Sequence, residues 1–151
     1  NSTTIEVIEH TILRLKEMRQ EYDYCMILQP TSPLRMVRDI IESSKLLFSK
    51  DANTIVSVCE VDHSPLYTNV LSESLSLENF MPKNVITIRQ NLQKYYRLNG
   101  SIYISDINYF LKNKYFYGEK SYAYIMDKIR SFDVDDELDF LMVETIMKSI
   151  Q

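Results

Sequence analysis

The chain has 151 residues, of which 45% are hydrophobic and 25% charged, a composition typical of one soluble globular domain. Its formal net charge of −4 disfavours nonspecific binding to nucleic acid, and the absence of an apolar run of about 18 residues excludes a membrane-spanning helix. The two cysteines, Cys25 and Cys59, lie in apolar runs and are typical of buried thiols in a reducing cytoplasm. We therefore expect one cytoplasmic domain over residues 1–151, without a membrane or nucleic-acid partner.

The first half of the chain predicts alternating helices and strands. Thr3 and Glu6 have the spacing of a capping box, and apolar residues then recur at helical spacing. The predicted elements are a helix at residues 4–19, a strand at 24–28, a helix at 36–49 and a strand at 54–59. A strand, a helix and a strand in this order indicate a right-handed crossover and a parallel sheet.

The second half of the chain is less regular. Residues 60–91 contain Pro65, Pro82 and many serines and asparagines, which predicts a strand-rich arm that leaves the core. Residues 98–101 (LNGS) are predicted to form a turn. The elements predicted after it are a strand at 102–104, a helix from Ser105 or Asp106 to residue 113, a strand at 122–126 and a helix from Asp135 or Asp136 to residue 150.

The first candidate site is the loop at residues 29–35, which follows a predicted strand. Ligands of open parallel sheets bind at the carboxyl ends of strands. Pro30 and Pro33 restrict the backbone, which lowers the entropy cost of holding polar groups ready for a ligand. The groups on offer are Gln29, Thr31, Ser32 and Arg35. The alternative is a proline-rich turn whose serine caps the next helix.

The second candidate site is the pair Asp133 and Asp135. Residues 132–135 are predicted to form a strand end. Residues two apart on a strand point to the same side, and two carboxylates there repel each other unless a cation or proton intervenes. Mg²⁺ is usually held by one or two carboxylates together with phosphates and water. The alternative is an acidic helix N-terminus favoured by the helix dipole, which is the reading we prefer for Asp136, Glu137 and Asp139.

The third candidate site contains Arg89 and Arg97 near amides, including Asn99, and tyrosines. A guanidinium group binds a carboxylate through two parallel hydrogen bonds, so these residues are suited to clamp an acidic ligand. The alternative is a solvated basic hairpin. No Ser-His-Asp set, zinc pattern or glycine-rich phosphate loop is present in the sequence.

Together these segments resemble the N-acylneuraminate cytidylyltransferase family, also called CMP-sialic acid synthetases. The resemblance is carried by residues 28–35 (LQPTSPLR), residues 97–103 (RLNGSIY) and residues 133–135 (DVD) before a helix. It implies an α/β fold with a mostly parallel central sheet flanked by helices, and a homodimer joined by an arm at residues 60–99. The implied reaction couples CTP to an acidic nine-carbon 2-keto sugar and releases pyrophosphate, with Mg²⁺ as cofactor.

The family pattern also implies a role for each site residue. Asp133 and Asp135 would hold Mg²⁺, Gln29 would face the sugar, and Tyr103 would line the sugar pocket. Arg89 and Arg97 match arginines on the dimerisation arm that reach the partner's site near the sugar carboxylate. The predicted substrate-binding set is completed by Thr31, Ser32, Arg35 and Asn99, the first three either as ligands or only as residues that shape the loop.

The chain departs from the family at its beginning. Family members start with a strand and a basic, glycine-containing loop for the CTP phosphates, whereas Gly100 and Gly118 are the two glycines of this sequence. We therefore expect an N-terminally truncated enzyme that carries the sugar and metal half of the site and is inactive alone. Alternative functions are transfer to pseudaminic or legionaminic acid, or a non-catalytic sugar-binding or dimerisation module.

Overall fold

A computed structural model describes residues 2–81 and 93–150, apart from the side chain of the last of these. Arg89 therefore lies outside the described residues. The helices are α1 (Thr4–Glu17), α2 (Val37–Ser49), α3 (Ile107–Asn113) and α4 (Glu137–Ile150). The strands are β1 (Tyr24–Ile27), β2 (Thr54–Glu60), β3 (Tyr96–Asp106) and β4 (Ser121–Ile125). The predicted α/β class with a central sheet flanked by helices is confirmed.

The predicted capping box begins α1. The Thr3 amide donates to Glu6 Oε2 at 2.6 Å, and the Glu6 amide donates to Thr3 Oγ1 at 3.3 Å. These two bonds satisfy backbone donors that the first turn of a helix leaves unpaired. The helix ends at Glu17, two residues earlier than predicted, and Arg19 then takes a left-handed conformation with φ of 59°.

The four strands form a mixed sheet in the order β1-β3-β2-β4. β2 and β4 pair in parallel, whereas β3 is antiparallel to both β1 and β2. The prediction of a mostly parallel sheet is therefore right about the common direction of β1, β2 and β4 but wrong about the strand that separates two of them. The reason is the long excursion after β2. The chain returns at the same end of the strands, where Tyr96 pairs with Glu60, and therefore runs back antiparallel to β2.

The core has two layers, one on each face of the sheet. On one face, α2 covers a cluster that includes Leu47, Ile55 and Ile102. On the other face, α1 and α3 cover a cluster that includes Ile12 and Phe110. Because successive strand residues point to opposite faces, every residue of β2 from Thr54 to Cys59 is buried. The sheet is thus a rigid base on which loops at one edge can be positioned.

The predicted strand-rich arm is only partly within the described residues. Residues 61–81 contain a short 3-10 turn, Pro65–Tyr67, and no strand, and large side chains such as Val70 and Leu75 are exposed there. This part of the prediction is therefore wrong for residues 61–81. An assembly role of the arm stays a prediction.

None of the helices in the described ranges has the length and hydropathy needed to cross a membrane.

Candidate functional site

The site is built on an irregularity in β3. The β2–β3 pairing runs to Val56 opposite Tyr103 and resumes at Val58 opposite Leu98, so residues 99–102 face Ser57 alone. The Ser57 hydroxyl fills the gap and accepts a hydrogen bond from the Ile102 amide at 2.7 Å. The turn predicted at residues 98–101 is therefore wrong: these residues form a β-bulge inside one continuous strand. Bulges of this kind redirect side chains, and they are frequent next to active sites.

Gly100 gives the bulge its backbone shape. Its φ of 71° lies in the left-handed region, which costs an L-residue with a side chain about 1–2 kcal/mol. A Cβ atom at this position would also collide with the carboxamide oxygen of Gln29 and would lie 3.8 Å from Asp133 Oδ2. Two predicted site residues, from two distant parts of the sequence, therefore meet above one glycine.

We expect Gly100→Ala to lower the free energy of unfolding by about 1–2 kcal/mol, because alanine strains the left-handed backbone. Urea denaturation followed by circular dichroism measures the change. Gly100→Asn is the matched control: it displaces the Gln29 side chain in the same way but tolerates this backbone better, so it should lose less. Equal stability of the wild type and the alanine variant would contradict the prediction.

Asn99 connects the bulge to two other parts of the structure. It is only 2% exposed. Its Oδ1 accepts hydrogen bonds from Ser57 Oγ at 2.5 Å and from the Ser101 amide at 3.2 Å, while its Nδ2 donates to Ser131 Oγ at 2.8 Å. The carboxamide is therefore engaged within the protein. Its predicted contact with substrate stays a prediction.

The loop at residues 29–35 is tied to the bulge by Arg35. Its Nη1 donates to the Ser101 carbonyl at 2.7 Å and to the Gln29 carbonyl at 3.4 Å. Burial lowers the pKa of Arg35, and the nearby Asp39 carboxylate partly opposes this effect. A third, longer bond of 3.5 Å reaches Ser101 Oγ. All three bonds stay within the protein, so Arg35 shapes the loop in this structure.

Ser32 does not cap the following helix, which was the alternative explanation for this loop. The cap is supplied by Asp39, whose Oδ2 accepts from the Met36 amide at 2.9 Å. Ser32 is fully buried, and its hydroxyl has no hydrogen-bond partner among the described residues. Thr31 is exposed, and its backbone binds the segment that contains the acidic pair: its carbonyl accepts a hydrogen bond from the Val134 amide at 2.8 Å.

The acidic pair lies directly beside this loop. Residues 132–135 form no strand, so the strand end predicted there is wrong. Asp133 is half-buried, and its Oδ1 is buried without a hydrogen-bond partner among the described residues. Asp135 is exposed, and within the same residues its carboxylate forms no hydrogen bond or ion pair. A buried carboxylate oxygen without a hydrogen-bond donor is energetically costly, and a bound cation would offset that cost at Asp133. The described ranges contain no cluster of three or more His, Cys, Asp or Glu side chains suited to a metal.

The neighbouring acids have the helix-capping role that we preferred for them. Asp136 Oδ1 accepts from the amides of Leu138 and Asp139 at 2.9 and 3.0 Å. Asp139 Oδ2 in turn accepts from the amides of Asp135 and Asp136. The start of α4 is therefore capped by the carboxylates of Asp136 and Asp139, whereas those of Asp133 and Asp135 take no part in the capping.

Gln29 and Tyr103 line one cavity of about 270 Å³. The Tyr103 ring packs on Phe116 with 5.3 Å between ring centroids. Burial and the neighbouring Tyr103 raise the pKa of Tyr117, in the same cavity wall, to about 12, so this phenol remains a hydrogen-bond donor at neutral pH. A cavity with aromatic walls and a few polar groups suits a small polar molecule.

Sequence reasoning missed one side of this cavity. Lys114 lines it and forms an ion pair with Glu9 of α1. Lys114 has a φ of 52° where α3 ends, which no local pattern in the sequence signals. The aromatic run at residues 115–117 (YFY) was the available signal, because so many aromatic side chains after a helix indicate a packed wall.

Arg97 lies away from this cavity. Its guanidinium donates to the Ser131 carbonyl at 3.2 Å and to the Leu98 carbonyl at 3.4 Å, and the residue is exposed. The structure thus brings Gln29 together with Asp133 and with Tyr103, but it does not add Arg97 to the cavity wall. A clamp for a carboxylate in a partner's site stays a prediction.

Fold and site define an α/β protein with a candidate polar site near the carboxyl ends of β1 and β4, where β3 begins. No protein-family model matches the chain. It is 32% identical over 148 residues, 97% of this chain, to N-acylneuraminate cytidylyltransferase of Escherichia coli O18:K1:H7. It is 35% identical over 133 residues, 85% of this chain, to the protein of the same name from Streptococcus agalactiae serotype V.

A third relative carries a different sugar in its name. The chain is 27% identical over 151 residues, 97% of its length, to CMP-N,N'-diacetyllegionaminic acid synthase of Legionella pneumophila. The matches span 34% and 32% of the length of the two cytidylyltransferases and 63% of the Legionella protein. These similarities, over 85–97% of this chain, support its assignment to the N-acylneuraminate cytidylyltransferase family.

Proposed function

We propose that this chain supplies the sugar and metal half of a site for cytidylyl transfer, in which CTP and an acidic nine-carbon 2-keto sugar give the CMP-sugar and pyrophosphate. The observation that carries the proposal is the meeting of Gln29 and Asp133 above Gly100, beside a cavity that Gln29 shares with Tyr103. One side chain suits sugar hydroxyls and the other suits a cation. The names of the relatives support the reaction class.

The residues present fit a magnesium ion. Asp133 offers a carboxylate with one buried oxygen that lacks a donor, and Asp135 offers an exposed carboxylate two residues later. Hard oxygen ligands of this kind are the ones Mg²⁺ prefers, with phosphate and water oxygens completing its shell. When bound, the ion would neutralise charge that develops on the phosphates. Asp133 and Asp135 would hold it.

The sugar would be held by the cavity. The Gln29 carboxamide can donate to one hydroxyl and accept from another, which fixes the orientation of a polyol. The rings of Tyr103 and Phe116 offer an apolar wall, and Lys114 lies in the same wall, where it is paired with Glu9. The reaction needs the reacting hydroxyl near the phosphorus, so the chain's contribution is positioning and electrostatics.

The proposal is tested by calorimetry with N-acetylneuraminate and MgCl₂. We expect binding by the wild-type chain and at least about tenfold weaker binding by Gln29→Leu, since a buried polar contact is lost. Gln20→Leu, an exposed glutamine outside the cavity, is the control and should bind like the wild type. Loss of binding in both variants, or in neither, would contradict the assignment of Gln29.

A second candidate substrate is favoured by the Legionella relative. Its printed name specifies N,N'-diacetyllegionaminic acid, so this sugar and pseudaminic acid belong in the same calorimetry series. Specificity among such sugars rests on few side chains, because one changed substituent alters binding by only about 1–3 kcal/mol. The tightest ligand identifies the substrate. If none of the three sugars binds, the sugar half of the proposal fails.

A separate assay addresses catalysis. We expect no pyrophosphate release from CTP, sugar and Mg²⁺ with this chain, because its sequence contains no glycine-rich loop to hold the nucleotide phosphates. Robust release would overturn that expectation and show that the 151 residues are a complete enzyme. Sugar binding without any effect of CTP or Mg²⁺ would instead favour a non-catalytic module.

A further inference from the structure

A buried ion pair joins α2 to the short turn that precedes the acidic pair. Asp39 in α2 is fully buried. Its Oδ2 lies 3.1 Å from Arg130 Nε, and its Oδ1 accepts from the Tyr124 hydroxyl at 3.2 Å. Burial and the Asp39 charge raise the pKa of Tyr124, which keeps the hydroxyl proton in place as a donor. The contact to Arg130 is ionic, because that N–H finds no acceptor along its own direction.

The pair is poorly explained by stability alone. Removing two charges from water costs about as much as their attraction returns, so a buried pair often adds little to the net stability of a protein. In some proteins such pairs select one arrangement of the chain. The two partners here come from two elements that carry site loops. Asp39 lies four residues after Arg35, the end of the first loop, and Arg130 lies three residues before Asp133.

The short turn Ile129–Ser131 is held from a second side. Ser131 Oγ accepts from Asn99 Nδ2 at 2.8 Å and donates to the Asp127 carbonyl at 2.7 Å. Beyond the turn, the Val134 amide donates to the Thr31 carbonyl at 2.8 Å. Asp133 therefore lies between two hydrogen-bonded points of the chain, the turn Ile129–Ser131 before it and the Val134 amide after it.

We propose that Asp39 and Arg130 are positioning residues for the Asp133 carboxylate, and that their ion pair sets the geometry of the cation site; this role rests on the proposed function. The pair fixes the turn that leads into Asp133, and the Thr31–Val134 hydrogen bond fixes the other end. Neither Asp39 nor Arg130 is a ligand of the cation in this arrangement. Loss of the pair leaves the loop attached at Asn99 and Thr31 but free to shift between them.

The test measures Mn²⁺ binding to the chain by electron paramagnetic resonance, with Mn²⁺ as a probe of the magnesium site. We expect Asp39→Asn and Arg130→Met each to weaken Mn²⁺ binding by about tenfold, the lower end of the effect of losing a group that hydrogen-bonds a metal ligand, because the pair acts on Asp133 only through the chain. Arg130→Lys should recover part of the affinity because it restores the charge. Affinity for N-acetylneuraminate without metal should change less than about twofold, since Tyr103 and Lys114 lie on other elements.

Leu47→Ala is the control for general destabilisation, because it makes a core cavity at the far end of the same helix. It should leave Mn²⁺ binding unchanged. The inference is overturned if the Leu47 variant weakens Mn²⁺ as much as the ion-pair variants, or if Arg130→Met and Arg130→Lys both bind like the wild type. If Asp133→Asn binds Mn²⁺ like the wild type, the proposed metal site itself fails and the inference with it.

Discussion

Replacement of Asp133 by asparagine should remove metal binding from the site. Mn²⁺ affinity, measured by electron paramagnetic resonance, is expected to fall by more than about 100-fold, beyond the effect of losing an outer-shell partner. The physical reason is that the buried Oδ1 has no donor in the described residues, and asparagine removes the negative charge that makes a cation favourable there. Asp135→Asn should weaken binding less, because its carboxylate is exposed and better solvated.

The matched control for this prediction lies three residues away. Asp136 caps α4 through two hydrogen bonds from backbone amides, and asparagine is an equally good cap. Asp136→Asn therefore removes one negative charge from the chain, as Asp133→Asn does, but leaves the proposed metal ligands intact. It should bind Mn²⁺ like the wild type. If both variants lose the metal to the same extent, net charge and not a defined site explains the affinity, and the assignment of Asp133 is wrong.

Local patterns predicted the elements better than their arrangement. The capping box of Thr3 and Glu6 and the cap of α4 are decided by neighbours within four residues, so the sequence alone predicts them. The strand order depends on a different cause. An apolar run shows that a strand is buried but not which strand pairs with it, and the return of the chain after residue 95 places β3 between β1 and β2.

The bulge shows the same limit at the scale of single residues. Asn99 and Gly100 are typical of turns, because both tolerate a left-handed backbone. The same property suits a bulge inside a strand, and only the Ser57 hydroxyl on the opposite strand decides between the two. Ser57, which accepts the hydrogen bond from the Ile102 amide, lies 45 residues before it in the sequence.

The candidate site was predictable in part for a comparable reason. Gln29 follows β1 closely, so its loop could be proposed as a site from the rule that ligands bind at the carboxyl ends of strands, whereas only the family resemblance joined it to the acidic pair. The structure places Gln29 and Asp133 near Gly100, whereas their ligands stay predictions. Lys114 and Glu9 could not be inferred, because their ion pair depends on how α1 packs against the end of α3.

Replacement of Asn99 by alanine is expected to lower the free energy of unfolding by about 3 kcal/mol, because each buried polar group left without a partner costs about 1–3 kcal/mol. The variant leaves the Ser101 amide and the Ser57 hydroxyl proton without their acceptor. Urea denaturation measures the loss. Asn108→Ala, at an exposed position of α3, is the control and should change stability by no more than about 0.5 kcal/mol.

The same variant separates two roles for Asn99. A double-mutant cycle with Ser57→Ala should give a coupling energy of about 1 kcal/mol or more, since the two side chains are in direct hydrogen-bond contact at 2.5 Å. A structural hub predicts that stability falls first and that sugar affinity, measured well below the unfolding temperature, follows only through the displaced bulge. A loss of sugar affinity at unchanged stability would instead show that the Asn99 carboxamide turns outward and contacts the substrate. The reason is that a residue whose only role is to hold β3 to Ser131 affects binding through the stability of that strand.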